Sequence, residues 1–309
     1  MKKIFLFLAA ILSLNLMATE GALNGKFTIN ASGDQIVFSK GNLQYVGTWQ
    51  FATNQWDTIG GAQADDNRDL FGWGTGDAPN KFSSNAADYA TFTDWGTNPI
   101  TNGGNEADLW RTLTKDEWVY LFATRENAAT LFALGCVNGV NGVILLPDNW
   151  NTPTGASFTA STTRGMAWTE DSYTHDEGHF GDNDYPTEAW AVMEANGAVF
   201  LPAAGLRYNF SPVVGDVGLL GEYWSATPKP GGIQGYIFTF TEAGLWPQSN
   251  DVLNNGCSVR LVQAAPIETA IETPSLQGRS GEAHKRLVNG QLLIEKNEKI
   301  YNAQGAEVR

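Results

Sequence analysis

The chain has 309 residues, of which 42% are hydrophobic, 12% aromatic and only 17% charged. That is too apolar for a disordered chain and long enough to bury a sizeable core. Its 34 glycines, 12 prolines and 11 tryptophans exclude a coiled coil or a long helical bundle and point to a strand-rich fold with many turns.

The formal net charge is −14, and residues 19–278 carry 11 basic against 29 acidic groups, a local net of −18. Such a surface repels nucleic-acid phosphate and anionic lipid, so neither is expected as a partner, and a neutral, cationic or calcium-bridged one fits better.

At the N-terminus Lys2 and Lys3 precede an unbroken apolar run from Ile4 to Leu12, followed by Ser13, Asn15 and the small residue Ala18. This is the layout of a secretory signal peptide over residues 1–18. A membrane-spanning helix would need about 20 apolar residues. The mature protein is therefore expected to be secreted or held at the cell surface, without membrane insertion. Cys136 and Cys257 are the only cysteines. In an oxidising compartment they either pair as a disulfide or lie buried as small hydrophobes. Neither has a histidine or other base beside it in sequence, which speaks against a catalytic thiol.

From Gly25 to Ala52 short alternating runs broken by Gly33, Gly41 and Gly47 predict a meander of strands and hairpins. Residues 53–109 read as polar loop, yet they carry Trp56, Phe71, Trp73 and Trp95, so the loop is expected to fold back onto a core. Within it, Gly72-Trp-Gly-Thr-Gly76 lacks the spacing of a dinucleotide fingerprint and reads as a turn.

Thr114 and Glu117 form a capping-box pattern ahead of Trp118, Leu121, Phe122 and Arg125 at helical spacing. Val137–Leu146, with Asn138-Gly139 and Asn141-Gly142, reads as strand, turn, strand. A second helix is expected from about Glu188 to Asn196, stopping at Asn196-Gly197 and burying Trp190 and Met193. Further strands are expected at Ala198–Leu201, Tyr236–Phe240 and Ser258–Val262.

His175-Asp-Glu-Gly-His179, followed by Asp182 and Asp184, is the densest set of metal-ligating side chains in the sequence. On a helix the two histidines would share a face and could hold zinc. Gly178 and Gly181 favour a solvated acidic loop, which could instead give calcium its oxygen ligands. No nucleophile motif or phosphate loop occurs, and no other cofactor is expected.

The stretch from Arg207 to Asn255 mixes flat aromatics with short polar groups, as recognition surfaces do. Arg207, Tyr208, Tyr236, Trp246 and Asp251 are its candidate ligand-binding residues, the first four expected to be exposed.

Residues 264–282 read as a Pro-, Thr- and Ala-containing linker, and residues 283–309 as a β tail of two or three tiny strands.

Six phrases occur in order: Val37–Tyr45, Asp69–Gly74, Trp110–Trp118, Val137–Asp148, Ala198–Gly205 and Glu222–Ser225. Together they resemble exported proteins of gut and oral Bacteroidetes related to the Fibrobacter succinogenes major paralogous domain, over about residues 36–263. More distantly, Trp110–Trp118, Tyr223-Trp224-Ser225 and Ser258–Val262 look like landmarks of the formylglycine-generating, sulfatase-modifying-factor superfamily. The resemblance implies one α+β domain of C-type-lectin-like fold over residues 25–263, with its ligand face late in the chain.

The superfamily's chemistry does not carry over. Its closely spaced cysteine pair has no counterpart here, and neither has the iron-binding histidine triad of the related sulfoxide synthases. Asn289–Ile294 and Ile300–Gly305 are similar to the end of the type IX secretion sorting domain, which implies the export machinery as a partner of the tail.

The leading functional expectation is a non-catalytic recognition module for a glycan or protein ligand. An enzyme of unidentified type and a structural surface component stand behind it.

Overall fold

A computed structural model describes residues 20–61, 63–161, 179–209 and 211–266, together with 283–288, 291–296, 299–302 and 306–308. The chain divides into two compact units, Met1–Pro266 and Ile267–Arg309. Among the described residues the first unit consists mostly of short antiparallel strands with two α-helices, an α+β arrangement.

Three sheets organise this unit. One has the order Phe27–Thr28, Gln35–Phe38, Leu261–Ala264, Arg111–Thr112, so the earliest strands pair with the last. A second runs Asp184–Tyr185, Phe132–Val137, Val140–Leu145, Val199–Pro202, and its first pair is parallel. The third is an antiparallel meander of Gly221–Pro228, Gln234–Thr241 and Gly244–Val252. The hairpin between Val137 and Val140 turns at Asn138 (φ 50°) and Gly139 (φ 77°), the positive dihedrals of a type I′ turn. Asn141 and Gly142 lie inside the following strand instead of at a turn.

Helix α1, Lys115–Val119, begins with the capping box its sequence predicts: the Thr114 side chain accepts from the Glu117 amide, and Glu117 Oε2 accepts from the Thr114 amide at 2.7 Å. It continues as one π-helical turn, Tyr120–Thr124. The expected face is buried: the Phe238 ring lies 5.0 Å from Trp118 and 4.5 Å from Phe122. Helix α2, Thr187–Ala195, buries Trp190 and Met193. It stops where Gly197 turns to φ +93° with its backbone against Gly25; a Cβ there would stand 2.6 Å from the Gly25 Cα.

The long polar loop does fold back. Phe71, Trp73, Trp95 and Trp110 join Trp224, Leu253, Cys257 and Val259 in one apolar cluster. Burying two of these indoles requires acceptors for their N–H groups, which Trp73 finds in the Ser225 carbonyl (2.9 Å) and Trp224 in the Phe71 carbonyl (2.6 Å).

Between the clusters runs Leu253–Gln263, eleven consecutive buried residues. Every neighbouring layer bonds to it. Cys257 exchanges both backbone hydrogen bonds with Phe71, Gly256 does so with Arg207, Ser258 donates to Glu222, and Leu43 donates to Val259.

The second unit forms its own antiparallel sheet of four strands, Ala283–Val288, Gln291–Lys296, Lys299–Asn302 and Glu307–Val308, one or two more than its sequence suggested.

One buried charge makes the first unit pH-sensitive. Asp69 accepts from the Ile59 amide (2.6 Å) and from Gln63 Nε2 (3.0 Å), but its burial dominates and pushes the carboxyl up to about 6. Because the folded state keeps this proton to higher pH than the unfolded chain, stability falls as pH rises from about 4 to 6, by about 3 kcal/mol for this group. Asp69→Asn is expected to remove that component of the slope in urea midpoints measured across the range. An unchanged slope would place the titration elsewhere.

Candidate functional site

The meander sheet and the buried segment bring three potential metal-ligating side chains together. Glu222 comes from the start of Gly221–Pro228, Asp251 from the end of Gly244–Val252, and Cys257 from the buried segment where it bridges Phe71. Their ligand atoms all lie within 4.8 Å of one another. The Cys257 Sγ is 3.5 Å from Glu222 Oε2 and 3.9 Å from Asp251 Oδ2. The carboxylates are partly accessible and the thiol is fully buried. Asp251 is held in place by the Val252 amide on Oδ1 and by Asn255 Nδ2 on Oδ2, each at 2.7 Å.

Burial, then each acid's proximity to the other, pushes Glu222 upward; burial likewise raises Asp251. The Cys257 thiol is pushed well above its usual value by burial first and by the two carboxylates next, with Arg207 pulling weakly the other way.

Beside Cys257 lies Arg207, whose side chain runs along the Gly256 backbone; a Cβ on Gly256 would sit 2.6 Å from its Nε. The arginine is 1% exposed, and none of its three guanidinium nitrogens has a hydrogen-bond partner among the described residues. The Phe82 ring caps it, 5.0 Å away. A buried cation without an acceptor is costly.

Next to the cluster the Tyr208 hydroxyl donates to Asp216 Oδ2 at 2.8 Å, and Asn255 Oδ1 accepts from the Asn209 amide.

Of the five candidate ligand-binding residues, Arg207, Tyr208 and Asp251 meet here. Tyr208 is exposed, as expected. Arg207 is not, because the reciprocal backbone bridge to Gly256 draws it under Phe82. Tyr236 and Trp246 are half-buried; Tyr236 pairs with Asn250, the residue before Asp251. Lys115 Nζ sits 5.3 Å over the Tyr236 ring, and Trp246 is five residues up the strand from Asp251, roughly 16 Å along it.

Glu222 and Cys257 had not been grouped with them. Glu222 stood within the Glu222-Tyr-Trp-Ser phrase, but only the fold shows that residues 256–258 run alongside it.

The earlier metal-ligand set fares differently. His175 lies outside the described residues. His179 and Asp182 flank a short 3₁₀ turn, with the His179 amide 3.3 Å from Asp182 Oδ2, and Asp184 pairs across to Cys136. These three do not converge on a common point.

The two cysteines do not form a disulfide. Both are free: Cys136 lies on the sheet with Asn141 and Asp184 as partners, whereas Cys257 is enclosed in the aromatic cluster opposite Phe71.

No protein-family model, curated protein or solved structure matches the chain.

The free thiols differ in access. A thiol reagent should modify half-buried Cys136 slowly and leave Cys257 untouched until denaturant is added, after which peptide mass spectrometry should find two modified cysteines per chain. Recovery of a Cys136–Cys257 cross-linked peptide would contradict this placement.

Proposed function

We propose that the protein is an exported, non-catalytic recognition module of C-type-lectin-like fold that binds a protein ligand through the face spanning residues 208–222. The observation that carries this reading is a local concentration of exposed apolar side chains. Tyr208 (37% exposed), Val213 (57%), Val217 (47%) and Leu219 (61%) supply four of the nine exposed large hydrophobics among the described residues. Exposed apolar side chains gathered in one stretch of chain around Asp216 have the composition of an interaction site.

Aliphatic valines and leucine favour a protein partner over a glycan, whose sugar rings are better met by flat aromatics. The two aromatics proposed for that task, Tyr236 and Trp246, are half-buried. The lectin-like fold is supported by two helices packed on antiparallel strands and by the pairing of the unit's first strands with its last. An enzymatic role finds less support, since the Cys257 thiol is fully buried and out of reach of a substrate. The leader carries the chain out of the cytoplasm, and the tail, residues 283–309, serves export or retention at the surface.

A binding screen of the purified chain against surface proteins and glycans tests both parts. A protein ligand should be found whose affinity falls more than about 10-fold in Val217→Ser/Leu219→Ser with the melting temperature unchanged. Deleting residues 283–309 should leave that binding intact and trap the protein in the periplasm. Glycan binding alone, or protein binding indifferent to the double variant, would overturn the assignment.

A further inference from the structure

We propose that Glu222, Asp251 and Cys257 bind one divalent transition-metal ion of the zinc class, with the Arg207 guanidinium balancing the negative charge that the loaded cluster retains. This site borders the proposed recognition face at Glu222 but does not depend on the recognition reading, and it uses no residue of the His175–Asp184 segment.

The distances suit such an ion. With metal–sulfur and metal–oxygen bonds of about 2.3 and 2.0 Å, the sulfur-to-oxygen edge of a tetrahedral zinc site is roughly 3.5 Å. Sγ stands 3.5 and 3.9 Å from the two nearest carboxylate oxygens, close to that edge, and all three ligand atoms lie within 4.8 Å of one another. The thiolate sets the class of metal: calcium and magnesium take oxygen ligands, whereas sulfur with carboxylates suits zinc and its borderline-soft neighbours. Three protein ligands leave a fourth position, and the partly accessible carboxylates give an ion a way in. The Val252 amide and Asn255 amide fix Asp251 as outer-shell groups do.

Arg207 supplies the independent observation. The residue is 1% exposed, its guanidinium packs against Gly256 beside Cys257, and it has no hydrogen-bond partner among the described residues. Among the described residues no carboxylate bonds this cation, although the Cys257 thiol beside it stands 3.5 and 3.9 Å from two acids. A dication on two carboxylates and a thiolate makes the cluster −1 overall, and the +1 of Arg207 then balances it. One ion would hold together three acidic groups that lie within 4.8 Å of one another and leave a net negative charge to offset the arginine.

The test uses the full chain, zinc in competition with a chromophoric chelator, and cobalt(II) as a spectroscopic substitute. One equivalent of zinc should bind, and cobalt should give a near-ultraviolet thiolate-to-metal charge-transfer band that is lost in Cys257→Ser. Because Cys257 is fully buried and its replacement also tests the fold, Glu222→Gln and Asp251→Asn, at partly accessible positions, provide the second arm. Each should weaken zinc binding on the order of 100-fold while circular dichroism stays native. The absence of stoichiometric zinc, cobalt bound without the thiolate band, or zinc affinity unchanged in both carboxylate variants would each overturn the proposal.

Discussion

Eleven successive buried residues, Leu253–Gln263, impose the constraint on which the rest of the first unit depends. A segment cut off from water must find a protein partner for nearly every backbone N–H and C=O. Here the partners come from five directions: Phe71 in the long loop, Arg207, the start of Gly221–Pro228, Leu43, and the two strands that flank Leu261–Ala264. Removing any of these layers would leave orphaned polar groups in an apolar interior, each at a cost of about 1–3 kcal/mol. The segment thus ties the aromatic clusters to one another, and the first strands to the last.

The same constraint builds the candidate site. Gly256 lies so close to Arg207 that no larger residue fits without displacement, and this contact draws the guanidinium beneath Phe82. One residue later the antiparallel bridge to Phe71 fixes Cys257, and the next amide, donating to Glu222, brings in the first carboxylate. Asp251 follows from the meander register, in which Gly235 is its cross-strand partner. Two acids, a thiol and an arginine are thereby held together by backbone hydrogen bonds that stabilise the fold whatever those side chains bind. The proposed recognition face lies upstream and rests on Val213, Val217 and Leu219, whose side chains stay exposed.

Local signals in the sequence carried well where local physics decides the structure. The Thr114–Glu117 capping box, the stop at Asn196-Gly197 and the Asn138-Gly139 turn are each encoded within a few residues, and each appears where its pattern places it. Phe71, Trp73 and Trp95 also announced their own burial. What composition could not show was pairing between distant segments. Gly244–Val252 alternates poorly and contains Pro247, so its place in the meander depends on Gln234–Thr241 beside it. Arg207 looked like a surface cation because arginines usually are, and its burial follows from a bridge to a glycine 49 residues later. The Glu222, Asp251 and Cys257 cluster arises from three separate elements and has no motif. The cysteines, 121 residues apart, gave no indication that one belongs to an outer sheet and the other to the aromatic cluster.

Native-state hydrogen exchange in low denaturant tests the central role of the buried segment most directly. The amides of Gly256, Cys257 and Ser258 should exchange only through global unfolding, with the same denaturant dependence as Trp118 in α1. If those three amides open locally while Trp118 stays protected, the segment does not hold the unit together and the site it positions is not preformed.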